Sequence, residues 1–208
     1  MTPEAEKHLA KNDPVMRRLI HTHGPCGLTP EKCRSPFHSL VLAVAHQQLH
    51  ATAANNILGR FKKLFPRRRF PQAKDLVTVT DEQLRACGFS QAKIKAIRDI
   101  AEKTLSGVVP SPKEIVKLPD DEIIARLTEV RGVGRWTVEM LLIFQLGRSD
   151  VLPVDDFGVR NGYRIAYGKR SMPKPKALLK FGKRWRPHGT TAAWYLWRAA
   201  DAARKKQS

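Results

Sequence analysis

Apolar residues recur at three- and four-residue intervals along most of the chain, and few runs alternate like strands, so the pattern predicts an all-α protein. A helix is expected over 1–23, then a loop rich in Gly and Pro over 24–36. From Phe37 an apolar helix runs through Leu40, Val41, Val44 and Ala45 and stops at a polar break, His46-Gln47-Gln48. A second helix carries Ala53, Ala54, Ile57, Leu58, Phe61 and Leu64 and ends near Pro66, beside the basic run Arg67-Arg68-Arg69. Thr80 followed by Gln83 reads as a capping box, with Gly88 placed to stop the short helix it opens. Ser90 caps the next helix, which aligns Ile94, Ile97, Ile100 and Leu105 on one face and stops at Gly107. Asp120 starts a helix through Ile123, Ile124, Leu127 and Val130. Further helices are expected over 136–146, 157–167 and 190–203, the last carrying Trp194, Tyr195 and Trp197.

Composition narrows the class. Hydrophobic residues make up 42% of the 208 positions, enough for an ordinary globular core, and no apolar run is long enough for a membrane span. No signal-peptide segment opens the chain, so a soluble protein of the cell interior, cytoplasm or nucleoid, is expected, with no membrane partner. Lys and Arg number 38 against 19 Asp and Glu, a net charge of +19, which points to a polyanionic partner, nucleic acid above all. The three cysteines, Cys26, Cys33 and Cys87, make no disulfide framework and cannot supply the four thiolates of an iron–sulfur cluster. Cys26 and Cys33 with His23 or His38 fit no common zinc spacing.

The most informative stretch is Leu127 to Thr137, where one helix gives way to another across Arg131-Gly132-Val133-Gly134-Arg135-Trp136. Two glycines one residue apart allow positive φ and leave the backbone uncovered, while Val133 between them can anchor the turn in the core. Amides at the start of the second helix are then presented to an anion such as a phosphate. A tight helix–helix turn without a ligand would have the same outline. In a chain this basic, the segment resembles the helix-hairpin-helix motif of the base-excision DNA glycosylases.

The resemblance extends over roughly 37–200. Leu152-Pro153-Val154-Asp155-Asp156-Phe157-Gly158 resembles the "PVDD-x-G" segment of the 3-methyladenine DNA glycosylase II type, in which the second aspartate is catalytic. That implies Asp156 as the catalytic carboxylate, with Asp155 expected to cap the following helix. A carboxylate suits the reaction, because breaking an N-glycosidic bond develops positive charge on the sugar. Both aspartates would also serve as helix caps. Relatives with lyase activity carry a lysine two residues past the second hairpin glycine; here that position is Trp136, which cannot form an imine.

By the same resemblance, Val44-Ala45-His46-Gln47-Gln48-Leu49 is similar to the family's "QQLS" segment. Gln48 is then the residue inserted into the duplex when a base is flipped, and Gln47 sits nearer the active site. His50 stands where the family has Ser or Thr, and Arg186-Pro187-His188-Gly189 departs from "RP-x-R-S". Trp197, Trp136, Phe37 and Met140 are the implied pocket residues, aromatic rings suiting an electron-poor alkylated purine. Trp194 and Tyr195 are expected in the core. DNA contacts are implied at Gly132, Gly134, Arg131 and Arg135, with Lys93 and Lys95 either contacts or solvated.

The implied fold is the helix-hairpin-helix glycosylase fold: two helical lobes with an interlobe cleft. One lobe would be a six-helix middle lobe over 38–148 that ends in the hairpin, the other 1–37 plus 149–208. No cofactor is expected, save a Na+ or K+ ion held by the backbone carbonyls of Thr128, Val130 and Val133. The implied function is monofunctional excision of alkylated bases such as 3-methyladenine from damaged double-stranded DNA, by a monomer. The alternatives are a glycosylase for mismatched or deaminated bases and a non-catalytic DNA-binding protein.

Overall fold

The computed structural model describes residues 2–31 and 34–205, and every regular element among them is helical. In chain order these are α1 (Pro3–Asn12), α2 (Pro14–His23), α3 (Pro36–His46), α4 (Ala51–Lys63), α5 (Asp81–Ala86), α6 (Gln91–Leu105), α7 (Pro112–Ile115), α8 (Asp120–Thr128), α9 (Arg135–Leu141), α10 (Phe157–Ala166), α11 (Pro175–Gly182) and α12 (Gly189–Lys205). Short 3-10 turns span Ala73–Thr78 and Lys183–Trp185, and α9 widens into a π-helical turn at Leu142–Leu146. The chain divides into two compact units, Met1–Lys32 with Leu142–Ser208, and Cys33–Leu141. These divisions fall a few residues before those expected at 37/38 and 148/149, the second one inside a run of helix.

In the unit formed by the two chain ends, the helix expected over 1–23 is two helices, broken at Asp13. Pro14 drives the residue before it into extended backbone, and Asp13 sits at φ −151°, ψ 110°. Its side chain then caps α2, accepting from the amides of Val15 (2.9 Å) and Met16 (3.3 Å). The same carboxylate accepts from the Tyr167 hydroxyl (2.5 Å) and the Trp185 indole (3.0 Å), although it is only 1% exposed. Four donors make burial of this charge tolerable. Burial, followed by the bond to Asp13, pushes the Tyr167 hydroxyl well above its ordinary pKa, so it stays a donor. At α12, the Tyr195 hydroxyl lies 2.9 Å from both Glu6 Oε1 and the Gly24 carbonyl, which fastens the N-terminal segment. Tyr195 is fully buried, as expected, while Trp194 is only partly so.

In the other unit, α6 is the central element. Its Ile94, Ile97 and Ile100 are fully buried, and it packs against α3 and the 3-10 turn. The Thr80–Gln83 capping box and the Ser90 cap form as the sequence predicts. α8 and α9 pack on each other as the two arms of the hairpin. The proline-flanked α7 and α11 have no counterpart in the sequence reading; both are short and begin at Pro, which fits the first turn of a helix.

Candidate active site

The hairpin turns as its glycines require. α8 ends at Thr128, and the turn closes with the Val133 amide donating to the Val130 carbonyl at 3.0 Å. Gly132 lies at φ +76°, the left-handed region, and a Cβ there would stand 3.4 Å from that of Ala96 on α6. Val130 and Val133 are 2% and 4% exposed, so the turn is pinned by its own apolar residues. The Gly134 carbonyl accepts from Val138, which makes Gly134 the residue from which α9 starts. By helix geometry the first-turn N–H groups of α9 point out of its end. Arg131 and Arg135 are both exposed. Arg135 pairs at 3.0 Å with Glu139, a buried carboxylate one turn on that the sequence reading did not single out. Met140 is partly buried on α9, and Trp136 is exposed.

The His46-Gln47-Gln48 break lies in the same unit. Gln48 is exposed and is the one non-glycine residue with positive φ (+57°) among the described residues. Gln47 directs its side-chain amide to the Gly132 carbonyl of the hairpin at 2.9 Å. Lys93 is not solvated: its ammonium donates to the carbonyls of Ala45 (2.8 Å) and Gln47 (2.9 Å), and burial lowers its pKa. Phe37 is buried in α3 against Phe70, with ring centroids 6.4 Å apart, rather than presenting an open ring. It borders a crevice of about 380 Å³ shared with Ser35, Gln72 and Thr104.

In the other unit, Pro153 to Asp156 form a turn closed by the Asp156 amide on the Pro153 carbonyl at 3.1 Å. Asp155 stands exposed at the tip and does not cap α10. The cap is Asp156, whose Oδ1 accepts from the Val159 amide at 2.7 Å, the N3 position that an N-cap side chain serves. The same oxygen accepts from the Trp197 indole at 2.8 Å, and Trp197 stacks on Phe144 at 5.7 Å. The extended segment before the turn is tied to the start of α12, where Thr190 bonds to Arg148 and Val151, and Asp150 accepts from Gly189 and Arg186.

Cys33, named above with Cys26, lies outside the described residues. Among those described, no group of three or more His, Cys, Asp or Glu could hold a metal, and no helix is long and apolar enough to cross a membrane.

The family model of the HhH-GPD superfamily base excision DNA repair proteins matches residues 41–187. DNA-3-methyladenine glycosylase 1 of Schizosaccharomyces pombe is 42% identical over 203 residues, covering 96% of this chain and 88% of that protein. A structure of that organism's 3-methyladenine DNA glycosylase, Mag1, in complex with abasic DNA superposes with a TM-score of 0.81 at 43% identity, covering 94% of this chain and 95% of that one. A DNA-3-methyladenine glycosidase from Bacillus halodurans gives a TM-score of 0.88 at 35% identity, covering 99% and 92%. Proline-valine-aspartate-aspartate turn, glycine hairpin and all-helical fold thus occur together in a chain that belongs to the HhH-GPD superfamily of base excision DNA repair proteins.

Proposed function

We propose that the chain is a monofunctional glycosylase that flips an alkylated base, 3-methyladenine or a relative, out of damaged duplex DNA and hydrolyses its N-glycosidic bond. One observation carries this: the Asp156 carboxylate is held in one orientation by a backbone amide and an indole N–H at once. In the reaction, the bond between the sugar C1′ and the base breaks, and the bonding pair leaves with the base. Positive charge develops on the sugar, and the Asp156 carboxylate stabilises it electrostatically. Water then adds to C1′, its proton passes to solvent, and an abasic site remains. Alkylation has already made the base a good leaving group, so no strong general acid is needed.

Gln48 fills the gap left in the stack, and the hairpin amides with Arg131 grip phosphate. Trp197, bonded to Asp156, offers the base an aromatic ring, and Trp136, lacking an amine, leaves no route to strand cleavage through an imine. A monovalent cation at the hairpin belongs to the same reading. Its donors would be the carbonyls of Thr128, Val130 and Val133, hard neutral oxygens, and Val130 keeps a lone pair beyond its bond to Val133. A bound ion would add positive charge behind the phosphate grip.

The deciding experiment is release of methylated purines from alkylated duplex DNA by the wild type and by Asp156→Asn. Asparagine still caps a helix and still accepts from Trp197, so the fold is retained while the negative charge is lost. The single-turnover rate should fall by about a hundredfold or more. Equal release by both proteins would remove Asp156 from the chemistry. Borohydride should trap no covalent DNA complex.

A further inference from the structure

One face of α6 carries Lys93, Ala96, Asp99 and Lys103, spaced three or four residues apart and so aligned along the helix. Each meets either the Gln48 loop or the hairpin. Lys93 donates to the Ala45 and Gln47 carbonyls. Ala96 lies beneath Gly132. Asp99 Oδ2 accepts from the Arg131 amide at 2.6 Å, and Lys103 donates to the Glu129 carbonyl. The Gln47 side chain closes the circuit by donating to the Gly132 carbonyl.

The Gln48 loop therefore has two anchors, and both lead to α6. The need for anchoring is visible in the backbone. Gln48 sits at φ +57° without the freedom of glycine, a conformation that persists only where neighbouring structure holds it. The residue immediately before it, Gln47, is the one whose carbonyl accepts from Lys93 and whose side chain reaches the hairpin. An ammonium with two carbonyl acceptors is a directional clamp as well as a C-terminal charge on α3.

We propose that Lys93 is a positioning residue that holds Gln48 poised for insertion into the duplex, at a distance from the phosphate-gripping hairpin that α6 fixes. This rests on the glycosylase reading above and on Gln48 as the inserted residue. Lys93 touches neither base nor phosphate in this role; it acts on flipping and not on bond cleavage. Its loss should matter where a base pair must be opened, and little where the lesion is already unpaired.

The test compares wild type, Lys93→Met and Lys93→Arg on two duplexes, one with 7-methylguanine paired to cytosine, the other with the same lesion opposite an abasic analogue. Single-turnover release by Lys93→Met should fall about tenfold on the paired lesion and by less than about twofold on the unpaired one. Lys93→Arg, which keeps the charge and donors, should recover most of the loss. Amide hydrogen exchange on the free proteins should quicken over residues 45–50 in Lys93→Met alone. Equal losses on both duplexes, no loss on the paired one, or unchanged exchange would overturn the proposal. Should the wild type release nothing from either duplex and no methylated purine from alkylated DNA, the glycosylase reading falls, and the exchange result still decides whether Lys93 clamps the loop. If Lys93→Met does not fold, Lys93→Gln, polar but uncharged and too short to reach both carbonyls, should show the same selective loss on paired DNA.

Discussion

The indole N–H of Trp197 donates to Oδ1 of Asp156 at 2.8 Å, joining α12 to the cap of α10 across 41 residues of sequence. The aspartate is thus a helix cap whose orientation is also set by a side chain of another helix. Trp197→Phe keeps an aromatic ring beside Phe144 and removes only the donor. A hydrogen bond to a charged group contributes about 1.5–3 kcal/mol, and part of that loss should appear as a fall in excision of about tenfold. Thermal unfolding should move by only a few degrees, because the Val159 amide still holds the cap. An unchanged rate of base release would show that the indole bond does not orient the carboxylate.

Two glycines make that bond possible. A Cβ on Gly158 would stand 2.8 Å from the Trp197 ring and 3.1 Å from Asp156 Oδ1, while one on Gly162 would stand 1.9 Å from the Leu196 carbonyl. The first collision is with a side chain that can tilt, the second with backbone that cannot. Gly158→Ala should therefore fold and lose activity, and Gly162→Ala should force α10 and α12 apart, costing about 2 kcal/mol or more. Denaturant melts alongside excision assays separate the two; equal stability losses would contradict the assignment.

What the sequence made legible was local. The Thr80 and Ser90 caps, the hairpin glycines and the Gln47-Gln48 break are signals written within four or five residues, and each forms. The aspartate pair is legible as a turn before a helix, but the cap expected of Asp155 falls to Asp156. The outcome depends on the Pro153 turn, which leaves Asp155 at the tip. The Asp13-Pro14 pair carries a local helix-start signal that the single helix expected over 1–23 overlooks, whereas the bonds of Asp13 to Tyr167 and Trp185, 154 and 172 positions away, have no local signal at all. Lys93 stands out in the sequence only as a DNA contact or a solvated lysine; its clamp on the loop is not legible there, since both its acceptors are backbone carbonyls, which carry no side-chain signature.

His38 gives the fold an acid-sensitive point. Its ring stacks on Phe70 at 3.6 Å, and burial, reinforced by Arg34 and Lys62, lowers its pKa from 6.5 to about 4. A histidine held neutral in the folded state stabilises fully above its unfolded pKa, and that contribution is lost as pH falls from 6.5 towards 4. The melting temperature of the wild type should drop more than that of His38→Gln between about pH 7 and about pH 5. Parallel pH dependence in the two proteins would mean that His38 titrates freely in the folded state.

The hairpin glycines should respond differently to the same substitution. Gly132 needs its left-handed backbone, and a Cβ there would press on Ala96, so Gly132→Ala should cost about 1 kcal/mol in folding and displace the Arg131 amide from Asp99. Gly134 has ordinary φ, and nothing lies within 4 Å of where its Cβ would be. Gly134→Ala should therefore fold as the wild type does. Its added methyl projects from the start of α9, the end where phosphate is to approach, and should weaken duplex binding several-fold at low salt. Fluorescence anisotropy with an abasic duplex, read beside thermal melts, tests both. Full-strength DNA binding by Gly134→Ala would place the phosphate contact elsewhere than at the α9 amides.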